Sequence, residues 1–223
     1  MLVVGATGGL GAPISRRLAA QGAKLTLLGR DAGRVAALGL DATVIAGDLM
    51  DPHTPERAVE SAVSAYGGLD GLVIATGVVA FGAIGDMPDE ALVNLFLVNT
   101  IAPIRILQAA LPHLLASAER GHQPFVVTLS AVVAEQPTAG MAAYSATKAA
   151  LTAYDAAAGR ELRRARVRLI DARPPHTETG LADRPIVGSR PRLPEGKDPD
   201  VVAARILAAI VNDETDLPSS AFA

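Results

Sequence analysis

The segment Gly5-Ala6-Thr7-Gly8-Gly9-Leu10-Gly11 constrains this chain more than any other. It separates a short apolar run, Leu2-Val3-Val4, from an amphipathic stretch, Pro13–Gln21, that closes at Gly22. A strand that turns this tightly into a helix needs glycine, which bends freely and leaves the backbone uncovered. The unpaired N–H groups of the helix start then face outward and can receive a pyrophosphate. Gly5, Gly9, Leu10 and Gly11 are therefore the first candidates for a dinucleotide site. The alternative is a glycine turn that only packs helix against strand.

Downstream, short apolar runs alternate with longer amphipathic segments. Strands are expected at Leu2–Val4, Lys24–Leu28, Thr43–Ala46, Gly71–Ala75, Phe125–Leu129 and Arg168–Asp171. Helices are expected at Pro13–Gln21, Glu56–Tyr66, Asp89–Ser117, Ala142–Arg164 and Val201–Val211, with a short one after the second strand. Pro103 and Pro112 predict a break or bend in the long helix. Asp216–Phe222 reads as a short terminal strand. The chain starts inside its first strand, which raises the expectation of an upstream extension. The alternation predicts an α/β fold: a single-domain Rossmann fold over residues 1–223, with a doubly wound parallel sheet and helices on both faces. Pro174–Asp200 exceeds the ~12–15 residues of ordinary structureless connections and reads as a substrate loop or lid.

Composition narrows the function. Half of the 223 residues are apolar and 19% are charged, too apolar for disorder. Positive mean hydropathy suits parallel strands covered on both faces. Twenty basic against 23 acidic side chains leave a net charge of −3, which does not favour nucleic acid. Cysteine and tryptophan are absent, so disulfides, thiolate ligands and a cysteine nucleophile are excluded. His53, His113, His122 and His176 stand far apart, and no metal is expected. The first basic residue is Arg16, so no charged n-region of a signal peptide is visible. The longest uncharged stretch, Gly71–Gly85, is shorter than the ~18 residues that suggest a membrane span. The expectation is a cytoplasmic protein acting on a small molecule, without nucleic acid or membrane.

Three further places carry chemistry. The second strand ends at Leu28-Gly29-Arg30, the end that meets the adenosine ribose in a dinucleotide fold. An acid there favours NAD, whereas Arg30 offers a guanidinium to a 2′-phosphate, unless it is simply a solvated arginine. Asp48 and Leu49 follow the third strand. A carboxylate there either accepts from the adenine amino group or caps the turn before Pro52. Tyr144 and Lys148 stand four apart on a helix and face one way. A nearby ammonium favours the phenolate and brings tyrosine, with its pKa of about 10, toward acid/base use. By itself that spacing means a half-buried tyrosine and a solvated lysine. After the fifth strand of a fold that opens on a dinucleotide turn, it is more specific.

The glycine turn, Asp48-Leu49, Asn99, Tyr144-x-x-x-Lys148 and Pro174…Thr179 occur in this order over essentially the whole chain. The sequence resembles the short-chain dehydrogenase/reductase family. The resemblance implies hydride transfer between NADP, or alternatively NAD, and a carbonyl or secondary alcohol, with Tyr144 as general acid/base. Lys148 would lower the pKa of the tyrosine and hold the nicotinamide ribose. Asn99, within Leu97–Pro103, matches the family asparagine that anchors a water linked to that lysine. Pro174-Pro175-His176-Thr177-Glu178-Thr179 resembles the family's Pro-Gly-x-x-x-Thr, which puts Pro174 and Thr179 beside the nicotinamide. The resemblance also implies a homodimer or homotetramer through the apolar faces of Ala91–Leu115 and Ala146–Leu162.

The departures from the family pattern are specific. Val4 stands where the family has threonine, and Pro175 replaces a glycine. Ile74-Ala75-Thr76-Gly77 stands where the family has Asn-Asn-Ala-Gly, and Gly77 alone is kept. The family serine lies thirteen residues before the tyrosine; that place is Ala131, with Ser130 one position off. These changes bear on catalytic efficiency rather than on cofactor binding. The rival expectation is an NADP-binding sensor or regulatory subunit without turnover. A sugar-nucleotide epimerase or dehydratase is disfavoured, since only about 50 residues follow the sixth strand, too few for a second domain.

Overall fold

β1 (Leu2–Val4) leads through the glycine turn to α1 (Gly11–Ala20), β2 (Leu25–Gly29), α2 (Ala32–Ala36) and β3 (Ala42–Ala46). α3 (Thr54–Tyr66) returns the chain to β4 (Gly71–Ile74). α4 (Asp89–Phe96) and α5 (Ala102–Glu119) precede β5 (Phe125–Leu129), and α6 (Ala142–Arg164) precedes β6 (Arg168–Ala172). α7 (Pro199–Val211) and β7 (Asp216–Leu217) follow. The computed structural model describes residues 1–223. The strands form one parallel sheet in the order β3-β2-β1-β4-β5-β6-β7. The order reverses between β1 and β4, where Val4 pairs with Ile74 on one side and Leu28 on the other. Ligands of open α/β sheets bind at such a switch point, beyond the carboxyl ends of the strands.

Strand alternation builds two cores. Leu2 and Val4 of β1 face Val59, Ile106 and Leu162, from α3, α5 and α6. Val3 faces the other way, toward Ile14, Leu18 and Ile206, from α1 and α7. Both faces of β1, β4 and β5 are buried, which is why these strands read as apolar runs.

The long helix departs from expectation. It continues from Asp89 to Glu119. Its irregularity is a π turn at Leu97–Ile101, just before Pro103, where the ring costs no regular hydrogen bond. Pro112 lies inside α5 without ending it. The carbonyl that it leaves unpaired belongs to Gln108, which is exposed to water. This helix is also long and apolar enough to cross a membrane, by length and composition alone. Arg105 splits it into shorter uncharged stretches, so it does not read as a span in the sequence. Here Ile106, Leu107, Ala110 and Leu114 pack into the core. At the C-terminus only Asp216–Leu217 is strand. Pro218, which has no N–H, stops it, and Ser219–Phe222 is a 3₁₀ turn.

Candidate active site

The glycine turn has no room for side chains. Gly5 adopts φ +79°, and a Cβ there would come within 2.8 Å of the Ala75 carbonyl. A Cβ at Gly11 would strike the Gly5 carbonyl, and one at Gly9 would strike Thr179. The turn therefore packs against the end of β4 on one side and against Thr179 on the other. Helix α1 has no side-chain cap, and the amides of Gly9, Leu10 and Gly11 have no backbone acceptor. Those free donors at a helix start fit an anionic dinucleotide bridge.

Arg30 is exposed just past β2. The neighbouring acid, Asp31, is engaged elsewhere: its Oδ1 caps α2 by accepting from the Arg34 amide at 3.0 Å. Asp48 Oδ1 accepts from the Met50 amide at 3.0 Å, so the turn-capping role is realised. The side chain is exposed and its Oδ2 remains available. Leu49 is buried in the core.

Tyr144, Lys148, Asn99 and Gly77 meet beyond the end of β4. A Cβ on Gly77 would lie 3.4 Å from Asn99 Oδ1 and 3.5 Å from Lys148 Nζ. Asn99 occupies the π turn and is fully buried. Its Nδ2 donates to the Val78 carbonyl at 2.9 Å and to Thr147 Oγ1 at 3.1 Å, and its Oδ1 accepts from the Val78 amide at 2.9 Å. Thr100 Oγ1 donates to the Thr147 carbonyl at 2.9 Å. The π turn is thus fastened both to the loop after β4 and to α6. Lys148 Nζ donates to the Leu129 carbonyl at 2.7 Å and stands 6.0 Å from the centre of the Tyr144 ring. Burial pushes the lysine down to about 8, against the opposing pull of Asp171 and Asp155. Burial raises the Tyr144 phenol above its ordinary value. The phenolate expected from the lysine's proximity is therefore not the form this environment favours; the phenol is held neutral, as a donor.

Pro174 is buried, and its carbonyl accepts from the Val132 amide at 3.0 Å. Beyond it, Thr177 and Lys197 form a parallel bridge that closes the base of a loop. His176 belongs to this base: its carbonyl accepts from the Lys197 amide at 2.8 Å.

The sequence profile of the short chain dehydrogenase family matches residues 1–185. The chain belongs to this family. It is 29% identical over 196 residues to an uncharacterized oxidoreductase of Staphylococcus epidermidis, covering 86% of this chain and 84% of that protein. It is 32% identical over 167 residues to 2,5-dichloro-2,5-cyclohexadiene-1,4-diol dehydrogenase of Sphingobium indicum, covering 72% and 65%. A short chain dehydrogenase from Burkholderia cenocepacia, solved in complex with NADP, superposes with a TM-score of 0.83 at 29% identity, covering all of this chain and 97% of the other. The protein is thus an oxidoreductase of the short chain dehydrogenase kind.

This short chain dehydrogenase also carries a charged network that the sequence does not announce, buried at Ser130, Asp155, Asp171 and Arg173 and reaching the surface at Glu135 and Asp216. Ser130 shares the sheet face of Thr128 and donates to Asp171 Oδ1. Asp171 Oδ2 pairs with Arg173 at 2.6 Å, and Arg173 also pairs with Glu135 and Asp216, each at 2.5 Å. Thr128 Oγ1 donates to Asp155 Oδ2 at 2.6 Å. Ala131 instead packs with the apolar cluster that holds Tyr144. One signal was available: Tyr144, Lys148, Leu151 and Asp155 follow a 4-3-4 spacing, so an acid falls on the buried face of α6.

Burial raises Asp155 to about 7, against the Thr128 hydrogen bond and aided by repulsion from Asp171; Lys148 and Arg173 pull the other way. Between the unfolded carboxylate value of about 4 and about 7, the folded state keeps a proton that the unfolded chain has lost. Stability from this group is therefore full at low pH and is lost as pH rises through that window. Asp155→Asn keeps an acceptor for Thr128 without the charge. It should raise Tm more at pH 8 than at pH 5, read by calorimetry at both; an equal shift would show that the charge is not what costs.

Proposed function

We propose that this dehydrogenase uses NADP to interconvert a carbonyl and a secondary alcohol, with Tyr144 transferring the proton. The observation that carries this reading is the meeting of Tyr144, Lys148, Asn99 and Gly77 at the switch point, next to the glycine turn. Gly5, Gly9, Leu10 and Gly11 would hold the pyrophosphate, Asp48 and Leu49 the adenine, and Pro174 and Thr179 the nicotinamide side. The bound nicotinamide supplies or takes the hydride. Tyr144 gives its proton to the substrate oxygen in reduction and takes one back in oxidation. Lys148 spends one of its three protons on Leu129 and has two left for the ribose hydroxyls. Asn99 holds the π turn against α6 and so fixes the height of Lys148. The similarity to a dehydrogenase whose name gives a cyclic diol supports the substrate type. The test is NADPH oxidation against a carbonyl panel, with NADPH binding measured in parallel. The second reading, a sensor, is favoured by Ala131 in the serine place; binding without any turnover would select it.

Arg30 decides the cofactor preference. The residue that follows the strand is Arg30 rather than an acid, and Asp31, one place further on, turns its Oδ1 back to cap α2. NADPH should bind more tightly than NADH by about 10–100-fold, the worth of one charge-assisted hydrogen bond. Arg30→Asp should reverse the order. Equal affinities in the unmodified protein would remove this assignment.

The assembly is read as a cytoplasmic homodimer or homotetramer. Ala146, Ala153, Ala156 and Ala157 lie exposed along α6, and Leu92 and Val93 along α4. Small side chains let a second helix approach closely, and two-fold pairing would cover both faces. Light scattering should give a dimer or tetramer; a monomer at micromolar concentration sinks the idea.

A further inference from the structure

We infer that the substrate is an uncharged ketone or alcohol with an apolar body, and that the loop after Pro174 selects it. This rests on the oxidoreductase reading of Tyr144 given above. Tyr144 stands in a cluster of its own, apart from the two cores of the sheet. The floor is Val79, Ala80, Phe81 and Val133, with Ala131 packed against them. The cover is Leu181, Ala182, Ile186 and Val187, all from the loop whose base is the Thr177–Lys197 bridge.

The cover is fastened by backbone rather than by side chains. The Ile186 amide donates to the Val79 carbonyl at 2.8 Å, and the Phe81 amide donates to the Val187 carbonyl at 3.0 Å. Gly188, at φ +79°, lets the chain pass so close to the Phe81 carbonyl that a Cβ would strike it. The charged residues of the loop lie on its other side. Arg190 pairs with Asp183 at 2.6 Å and lies 3.9 Å from Glu178, and Asp183 and Arg190 are exposed. The loop is therefore two-faced: its charged side chains are exposed outside, and its aliphatic side chains pack against the cluster that holds the tyrosine.

A substrate that reaches Tyr144 must displace Ile186 and Val187 or slide between them and the floor. A body of similar apolarity replaces those contacts. With Lys148 committed to the Leu129 carbonyl and the ribose, a carboxylate or ammonium would lose its water and find no partner on this surface, because the floor is aliphatic or aromatic and Ala131 adds no donor. The substrate oxygen is the one polar atom that this surface can receive, through the Tyr144 hydroxyl.

The test compares two ketones that differ at one group, 4-methylcyclohexanone and 4-oxocyclohexanecarboxylate, in NADPH oxidation by the whole chain. Calorimetric titration of each into the NADP+ complex, which cannot reduce a ketone, runs alongside. The methyl compound should be preferred by about 100-fold or more in kcat/KM and should bind more tightly. Ile186→Arg, or Leu181→Arg if the first does not fold, should narrow that gap at least about tenfold by giving the carboxylate a partner. Equal or better use of the carboxylate by the unmodified protein overturns the inference while leaving the oxidoreductase reading intact. So does a gap that both folded variants leave unchanged. If neither ketone is turned over, nor any other carbonyl or alcohol, the oxidoreductase reading falls. The inference about the surface is then decided by the titrations, where weaker or equal binding of the methyl compound, or no binding of either, overturns it.

Discussion

Tyr144→Phe should lower kcat by about 10²–10⁴-fold, the usual worth of a positioned general acid, while NADPH binding stays near that of the unmodified protein. Phenylalanine keeps the ring that packs with Val79, Phe81 and Val133, so the cover over the site stays in place. Only the proton donor is removed. Lys148→Ala is the control with the opposite signature. It should damage binding and turnover together, because the same ammonium is assigned to the ribose and stands 6.0 Å from the tyrosine ring. The pH profile separates the two groups. Burial raises the phenol, so Tyr144 remains a donor through neutral pH. The lysine, lowered to about 8, loses its proton first, and kcat/KM for reduction should fall above that pH. Stopped-flow measurement of the hydride step, with fluorescence titration of NADPH, reads both effects. A Tyr144→Phe protein that keeps most of its activity would mean that the proton comes from elsewhere.

The sheet was legible because its physics is local. Leu2–Val4 and Phe125–Leu129 are buried on both faces, so they read as unbroken apolar runs, and the glycine turn fixed where the first crossover begins. The Tyr144–Lys148 pair was legible because helical spacing aligns residues four apart. Asn99 was legible only through resemblance. The π turn that places it depends on the contact with Thr147, which lies 48 residues away in sequence. The direction of the phenol's pKa was not legible for a similar reason. A spacing shows that an ammonium is near, but not how completely the ring is buried, and burial is what raises the phenol here. The network of Ser130, Asp171, Arg173 and Glu135 gathers β5, β6 and the turn after β5, and no single stretch of sequence contains it. The fold class needed periodicity alone; the site needed contacts that only the folded chain makes.

Ala131→Ser should raise kcat, and Ser130→Ala should leave it nearly unchanged. Strand alternation points residues 130 and 131 to opposite sides. The structure gives each a surrounding: Ser130 lies with Thr128 on the α6 side and donates to Asp171, while Ala131 packs in the cluster around Tyr144. A hydroxyl at 131 would be a second donor to the developing alkoxide. Such donors are worth about 10²–10³ in rate where they have been removed from oxyanion sites. The gain here should fall below that range, because Tyr144 already donates to the same oxygen and the aliphatic surroundings of residue 131 do not hold the new hydroxyl in one rotamer. Ser130→Ala should show itself in stability instead. It removes one of the hydrogen bonds to Asp171, which keeps its 2.6 Å pair with Arg173, so the loss should be about 1 kcal/mol. Steady-state kinetics and urea unfolding on the two variants separate the outcomes. If Ser130→Ala crippled turnover and Ala131→Ser changed nothing, the strand would have to bulge during the reaction and swing Ser130 away from Asp171 toward the substrate.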